Sequence, residues 1–276
     1  MIVQREMIER VRQLCRDDEK IAAAWMYGSF TKGEGDAYSD IEFCLYLDPA
    51  DLETFEPEGW LSQIAPVALY FVNEFGNHTV IFENLVRGEF HLESVRDMER
   101  IRDEGEAEGN PSAASMFVTD RTGELMDHLR RISGDGPARD TGAQISQLWV
   151  HYLNWILFGM NVLARGERAR ALELLWFVQR YLLRLVRIRE GRTGHWLTPS
   201  KGLEAELSKE AYSRYVACTA SLAGTQLEAA YRAAWAWGCA LVGDLESDYE
   251  IERQDALVEK LDRYLTGLLD GDSSLS

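Results

Sequence analysis

The chain has 276 residues, 46% apolar and 27% charged, a balance that fills one large or two modest cores and excludes a disordered chain. Its formal net charge is −17, and a surface this acidic repels phosphate backbones and argues against nucleic acid as a partner. The same charge sets a condition on any nucleotide site, which must recruit metal ions or local Lys and Arg.

Met7, Ile8, Val11 and Leu14 recur at helical spacing near the start, so residues 4–15 are expected to form an amphipathic helix. The segment has no apolar h-region and does not read as a signal peptide. No apolar run approaches the ~20 residues of a membrane span. The four cysteines (Cys15, Cys44, Cys218, Cys239) contain no CxxC pair, and the five histidines lack zinc-ligand spacing. The expected setting is cytoplasmic, with reduced cysteines and no membrane partner.

IAAAWMY (21–27) reads as a short apolar strand ending at Gly28-Ser29. DIEFCLYL (40–47) alternates Asp40, Glu42, Cys44 and Tyr46 on one face with Ile41, Phe43, Leu45 and Leu47 on the other. Further strands are expected over 67–75, 79–84 and 85–94, with FGNHT (75–79) as a hairpin turn. DEGEAEGNPS (103–112) reads as an exposed acidic loop, and MFVTD (116–120) as an edge strand. SGDGPARDTG (133–142) is the clearest boundary. Beyond it the periodicity is helical over 143–164, 168–189, 202–221, 225–243 and 248–269, broken at GRTGHWLTPS (191–200), and the final GDSSLS is expected to fray. The expected fold is α+β: a first domain over 1–134 with a mixed sheet, then an all-α helical bundle over 140–270.

The chemistry concentrates in residues 25–43, WMYGSFTKGEGDAYSDIEF. On a strand, Asp40 and Glu42 share a face about 6.6–6.8 Å apart along the backbone, so their carboxylates can converge on one metal centre. Gly28 permits close approach of a phosphate, and the Ser29 hydroxyl can donate to it. A helix beginning at Ser29 would favour an anion further. Lys32 can neutralise phosphate charge, while Asp36 and Ser39 shape the loop. A third acid is needed as general base for an attacking hydroxyl. RGEFH (87–91) puts Arg87, Glu89 and His91 on one strand face, and Glu83 and Glu93 compete with Glu89 for that role. Two divalent ions clamped by such acids suit in-line attack on a nucleotide α-phosphorus.

An apolar strand, Gly-Ser, ten residues, then Asp-apolar-Glu-apolar resembles the signature of the polymerase-beta-like nucleotidyltransferase superfamily. More narrowly, MYGSFTKGEGDAYSDIEF, VIFENLVRGEFH and, more weakly, NVLARGERARALELL (161–175) resemble the longer, two-domain lincosamide nucleotidyltransferases. Like that branch, this chain has Glu rather than Asp as its second acid. The resemblance implies transfer of AMP from ATP to a hydroxyl of lincomycin or clindamycin, using Mg²⁺ and releasing pyrophosphate. It implies Asp40 and Glu42 as metal ligands, Glu89 as catalytic base, and Gly28 and Ser29 as the triphosphate site. It further implies a homodimer, with the acceptor near the domain and subunit junction.

An amphiphilic acceptor would want aromatic surface and a few acids. Trp149, Tyr152, Trp155, Trp176, Tyr181 and Trp196 are candidates, though aromatics in a helix stripe are usually core; Trp196 is favoured for lying in a break. Glu167, Arg168 and Arg170 open a helix where they would reach ligand or only solvent. Two rival functions remain open: an aminoglycoside nucleotidyltransferase, whose polycationic acceptor would suit the charge, and a partner-modifying regulatory protein that keeps the fold.

Overall fold

The structure is a computed structural model that describes residues 2–101, 112–134 and 136–270. The expected acidic loop and C-terminal tail lie almost wholly outside these residues. The chain divides into two compact units, Met1–Pro137 and Ala138–Ser276.

The first unit is built on a six-stranded sheet, β1 (Ile21–Met26), β2 (Ile41–Leu47), β3 (Val67–Val72), β4 (His78–Phe82), β5 (Arg87–Ser94) and β6 (Phe117–Asp120). The order is β3-β4-β5-β2-β1-β6. All neighbours are antiparallel except β2 and β5, which run parallel, so the sheet is mixed. The short β6 closes one edge.

Each face of the sheet carries its own core. Ile41, Phe43, Leu45 and Leu47 pack with Met7, Ile8, Val11 and Leu14 of the helix Val3–Asp17, and with Trp60 and Phe90. Phe43 and Phe90 stack at 5.6 Å across the parallel pair. The opposite face is not the solvated surface that the Asp40/Glu42 alternation suggests. Cys44 and Tyr46 are 3% exposed and pack with Trp25, Met98, Met116, Leu125 and Leu129. The covering residues come from Val95–Arg100, Ala113–Met116 and Leu125–Ile132. On β2 itself, the charged side chains of this face are therefore those at its start, Asp40 and Glu42.

The second unit is helical: Gly142–Ala164, Arg168–Arg189, Leu203–Glu206, Lys209–Ala217, Gln226–Leu245 and Asp255–Asp270. The helix expected over 202–221 is two pieces, because Leu207 is extended and the Ser208 side chain caps a new start by accepting from the Ala211 amide at 3.1 Å. The last helix begins at Asp255 rather than 248. Two glycines let helices close in. A Cβ on Gly159 would stand 2.1 Å from the Tyr231 hydroxyl, and one on Gly238 would stand 2.7 Å from the Tyr152 ring. Both tyrosines are buried and donate to helix carbonyls, Tyr231 to Ala171 and Tyr152 to Ala234, each at 2.7 Å. Their polar ends are thereby satisfied inside an apolar core.

Candidate active site

The chain leaves β1 at Tyr27, whose amide donates to the Glu42 carbonyl at 3.1 Å. Gly28 follows with φ +78°. A Cβ there would lie 1.6 Å from Glu42 Oε2, so the Glu42 carboxylate rests directly against the glycine backbone. Only glycine satisfies both the left-handed conformation and this close approach. Residues 29–33 then form successive turns, not a helix. Thr31 and Lys32 amides return to the Gly28 and Ser29 carbonyls, and the Thr31 hydroxyl donates to Gly28 O at 2.7 Å.

The loop onward is held rigidly. Asp36 accepts from the Tyr38 amide and the Ser39 hydroxyl, each at 2.9 Å, and buried Gln4 donates to Ala37 O at 2.7 Å. Asp36 and Ser39 thus shape the loop, as expected. It delivers Asp40 to the mouth of β2.

The parallel register of β2 and β5 makes Glu42 the partner of Glu89. Adjacent strands lie about 4.8 Å apart, so the two carboxylates share one face at neighbouring positions. Antiparallel pairing of β4 adds Thr79 opposite Glu89. Asn77, at the end of the β3–β4 hairpin, donates to Glu89 Oε1 at 3.0 Å. Arg87 forks between acids, donating to Asp40 Oδ2 at 2.6 Å and to Glu89 Oε2. His91 Nε2 lies 3.7 Å from Glu89 Oε1, and its ring meets Tyr27 edge-on at 5.4 Å.

These contacts set the electrostatics. Burial pushes the Glu89 carboxyl up, but hydrogen bonds from Arg87 and Asn77 outweigh it and hold the group below the usual carboxylate range. Burial, then the Glu42 and Glu89 charges, push the Tyr27 hydroxyl far up, so it stays protonated. That hydroxyl is buried and unpartnered among the described residues, as is the Ser29 hydroxyl oxygen.

Of the competing acids, Glu83 is exposed in the turn before β5, and Glu93 pairs with Tyr46, four residues along from Glu89 and about 13 Å away. The structure therefore brings together Gly28, Ser29, Asp40, Glu42 and Glu89; Lys32 sits half-buried in the adjoining turn. Sequence reasoning missed Asn77 and Tyr27, and put Arg87 on the right face without a partner. Among the described residues no group of three or more His, Cys, Asp or Glu side chains is arranged to hold a metal ion. The donors present still fit a hard divalent cation. Asp40 and Glu42 offer carboxylate oxygens, Asp40 already sits in the field of a cation, and the orphaned Ser29 hydroxyl calls for a polar partner.

In the helical unit, Trp149 and Tyr152 are core, stacked at 5.2 Å. Trp196 is core too, contrary to its favoured standing as a ligand contact: it is 6% exposed, with Arg139 and Arg184 over its ring. Trp155 stacks on Phe177 at 4.2 Å, and Trp176 is 51% exposed. Arg168 is bound to Glu228 and the Gly224 carbonyl, which makes it a helix brace. All four cysteines are free; Cys15, Cys44 and Cys218 are buried, and burial pushes the Cys15 thiol up to about 12. Among the described residues, no helix is long and apolar enough to cross a membrane.

Residues 8–99 match the family model of the nucleotidyltransferase domain. Residues 141–264 match the lincosamide nucleotidyltransferase-like C-terminal domain. The two matches are consistent with the two-domain lincosamide nucleotidyltransferase-like family. Nucleotidyltransferase domains generally use divalent metal ions. Among solved structures, the chain is similar to an aminoglycoside 6-adenyltransferase from Bacillus subtilis, at 12% identity and TM-score 0.44, covering 95% of this chain and 97% of that one. It is also similar to a nucleotidyltransferase-like protein from Exiguobacterium sibiricum, at 13% identity and TM-score 0.40, covering 85% and 75% respectively. A search of curated proteins gives no match.

Proposed function

We propose that this nucleotidyltransferase inactivates an antibiotic by transferring AMP from ATP to a hydroxyl of a lincosamide, with release of pyrophosphate. The observation that carries the reading is the pairing of Glu42 with Glu89 beside the Gly28-Ser29 turn. The C-terminal family match supports the choice of acceptor class.

In this reading Asp40 and Glu42 hold Mg²⁺, which when bound polarises phosphoryl oxygens and acidifies the acceptor hydroxyl. The Ser29 hydroxyl donates to the triphosphate, and Lys32 supplies positive charge beside it. Glu89 takes the acceptor proton as the acceptor oxygen bonds to the α-phosphorus. The bond from that phosphorus to the bridging oxygen breaks, and its electron pair leaves with pyrophosphate. Each oxygen of a carboxylate has more than one lone pair, so Asn77 and Arg87 orient Glu89 without blocking it. The depressed pKa keeps Glu89 ionised and ready to accept a proton at neutral pH. A homodimer, two metal ions and a cytoplasmic setting belong to the same proposal.

The charge of −17 favours an aminoglycoside as the second reading. A panel of both drug classes, incubated with ATP and Mg²⁺ and followed by mass spectrometry, separates them. Adenylylated lincosamide supports the first reading, and product with aminoglycosides alone replaces it with the second.

A further inference from the structure

We propose that Arg87 is an internal counter-cation that reserves the metal position, and that its guanidinium must release Asp40 before a divalent ion binds there. The inference rests on the reading of Asp40 as a metal ligand.

Asp40 lies two residues before Glu42 and Arg87 two before Glu89, and Glu42 pairs with Glu89. The arginine stem therefore rises one strand away from Asp40, on the same face. A guanidinium presents a planar fork of donors, and here one arm meets Asp40 Oδ2 at 2.6 Å and the other meets Glu89 Oε2. A lysine, with one compact ammonium, would not span both acids so well.

Three acids, Asp40, Glu42 and Glu89, crowd this end of the sheet, and in the absence of a cation they would repel one another. The Arg87 guanidinium, held by Asp40 and Glu89 together, sets a positive charge among them. It therefore does the electrostatic work that a metal does when bound. A divalent ion on the Asp40 carboxylate would stand beside the guanidinium that holds Oδ2, and the repulsion between the two cations opposes joint occupancy at contact distance.

Exposure indicates which bond yields. The side chains of Arg87 and Asp40 are 42% and 35% exposed, whereas Glu89 is 19% exposed. The arm on Asp40 can swing toward solvent without repacking the core, while the arm on Glu89 stays. Arg87 is thus a positioning residue: it keeps Glu89 oriented in both states and yields Asp40 in one.

The test is Mn²⁺ binding to the full chain without nucleotide, by titration calorimetry, for wild type, Arg87→Met and Arg87→Lys, with folding checked by circular dichroism. Arg87→Met is expected to bind Mn²⁺ at least tenfold more tightly than wild type, and Arg87→Lys to lie between them. Its metal-free melting temperature should fall below that of wild type and recover with Mn²⁺. A merely structural role would weaken metal binding. Equal or weaker binding in a folded Arg87→Met overturns the inference. If that variant does not fold, Arg87→Gln is judged by the same criterion. Asp40→Asn separates the two levels of the argument. Undiminished Mn²⁺ binding in Asp40→Asn sinks the metal assignment itself, whereas lost binding there with no gain in Arg87→Met sinks this inference alone.

Discussion

Glu42 on β2 and Glu89 on β5 are direct partners in the one parallel pair of the sheet. Two acids 47 positions apart in the chain thereby share one face at neighbouring positions, while Phe43 and Phe90, the next pair along, stack in the core beneath. The stacked pair helps to fix the register, and a slip of one residue by either strand would turn that strand's acid inward.

Gly28→Ala is expected to disable the site. The left-handed conformation costs about 1–2 kcal/mol for a residue with a Cβ, and the added carbon would displace the Glu42 carboxylate. Turnover should fall by ~10²-fold or more, since a misplacement of about 1 Å can cost that much. Kinetics and a melting curve check both parts, and unchanged activity would show that Glu42 need not sit against Gly28.

Glu89→Gln should lower kcat by ~10²–10⁴-fold, the usual worth of a general base, with KM for ATP little changed. A rise in KM with kcat preserved would assign Glu89 to nucleotide binding instead.

The depressed pKa of Glu89 fixes the sign of a stability effect. Its ionised form is favoured in the fold, so its contribution is complete above the unfolded value of about 4.3 and is lost as pH falls through the lower folded value. Without metal, wild type should exceed Glu89→Gln in unfolding free energy most at pH 6, and the gap should close below about pH 4. A gap that widens on acidification contradicts the assignment. Asn77→Ala removes one of the bonds that lower the pKa, so it should move the transition toward higher pH.

Arg187→Ala should unfold the helical unit easily while leaving the catalytic face intact. Arg187 is fully buried and donates to Glu206 at 2.6 Å, to Pro199 O at 2.8 Å and to Arg192 O at 2.9 Å. Breaking such a pair typically costs about 3–5 kcal/mol. Chemical denaturation measures the loss, and a change within 0.5 kcal/mol, roughly that of a surface substitution, would contradict it.

Local pattern made much of this legible in the sequence. The alternation of Ile41, Phe43, Leu45 and Leu47 marked β2, and the Gly28-Ser29 break marked the turn. Cross-strand register was not legible, because forty residues separate β2 from β5 and pairing between them depends on packing. For that reason Asn77, read only as a hairpin residue, was not seen to reach Glu89, and Arg87 was given no partner. The second core over Cys44 and Tyr46 was hidden for the same reason, since the residues that cover it come from 95–132. Trp196 misled because a break in helical periodicity was taken for exposure, whereas the segment after Gly191 wraps buried Arg187 and carries Trp196 into the core.

The most direct test of nucleotidyl transfer at this site compares wild type with Asp40→Asn, given ATP, Mg²⁺ and lincomycin, following pyrophosphate release and the mass of the drug together. Wild type should release pyrophosphate in step with the gain of one AMP per drug molecule, and Asp40→Asn should do neither. An Asp40→Asn protein that modifies the drug at the wild-type rate, or a wild type that modifies no acceptor in either drug class, would contradict the account.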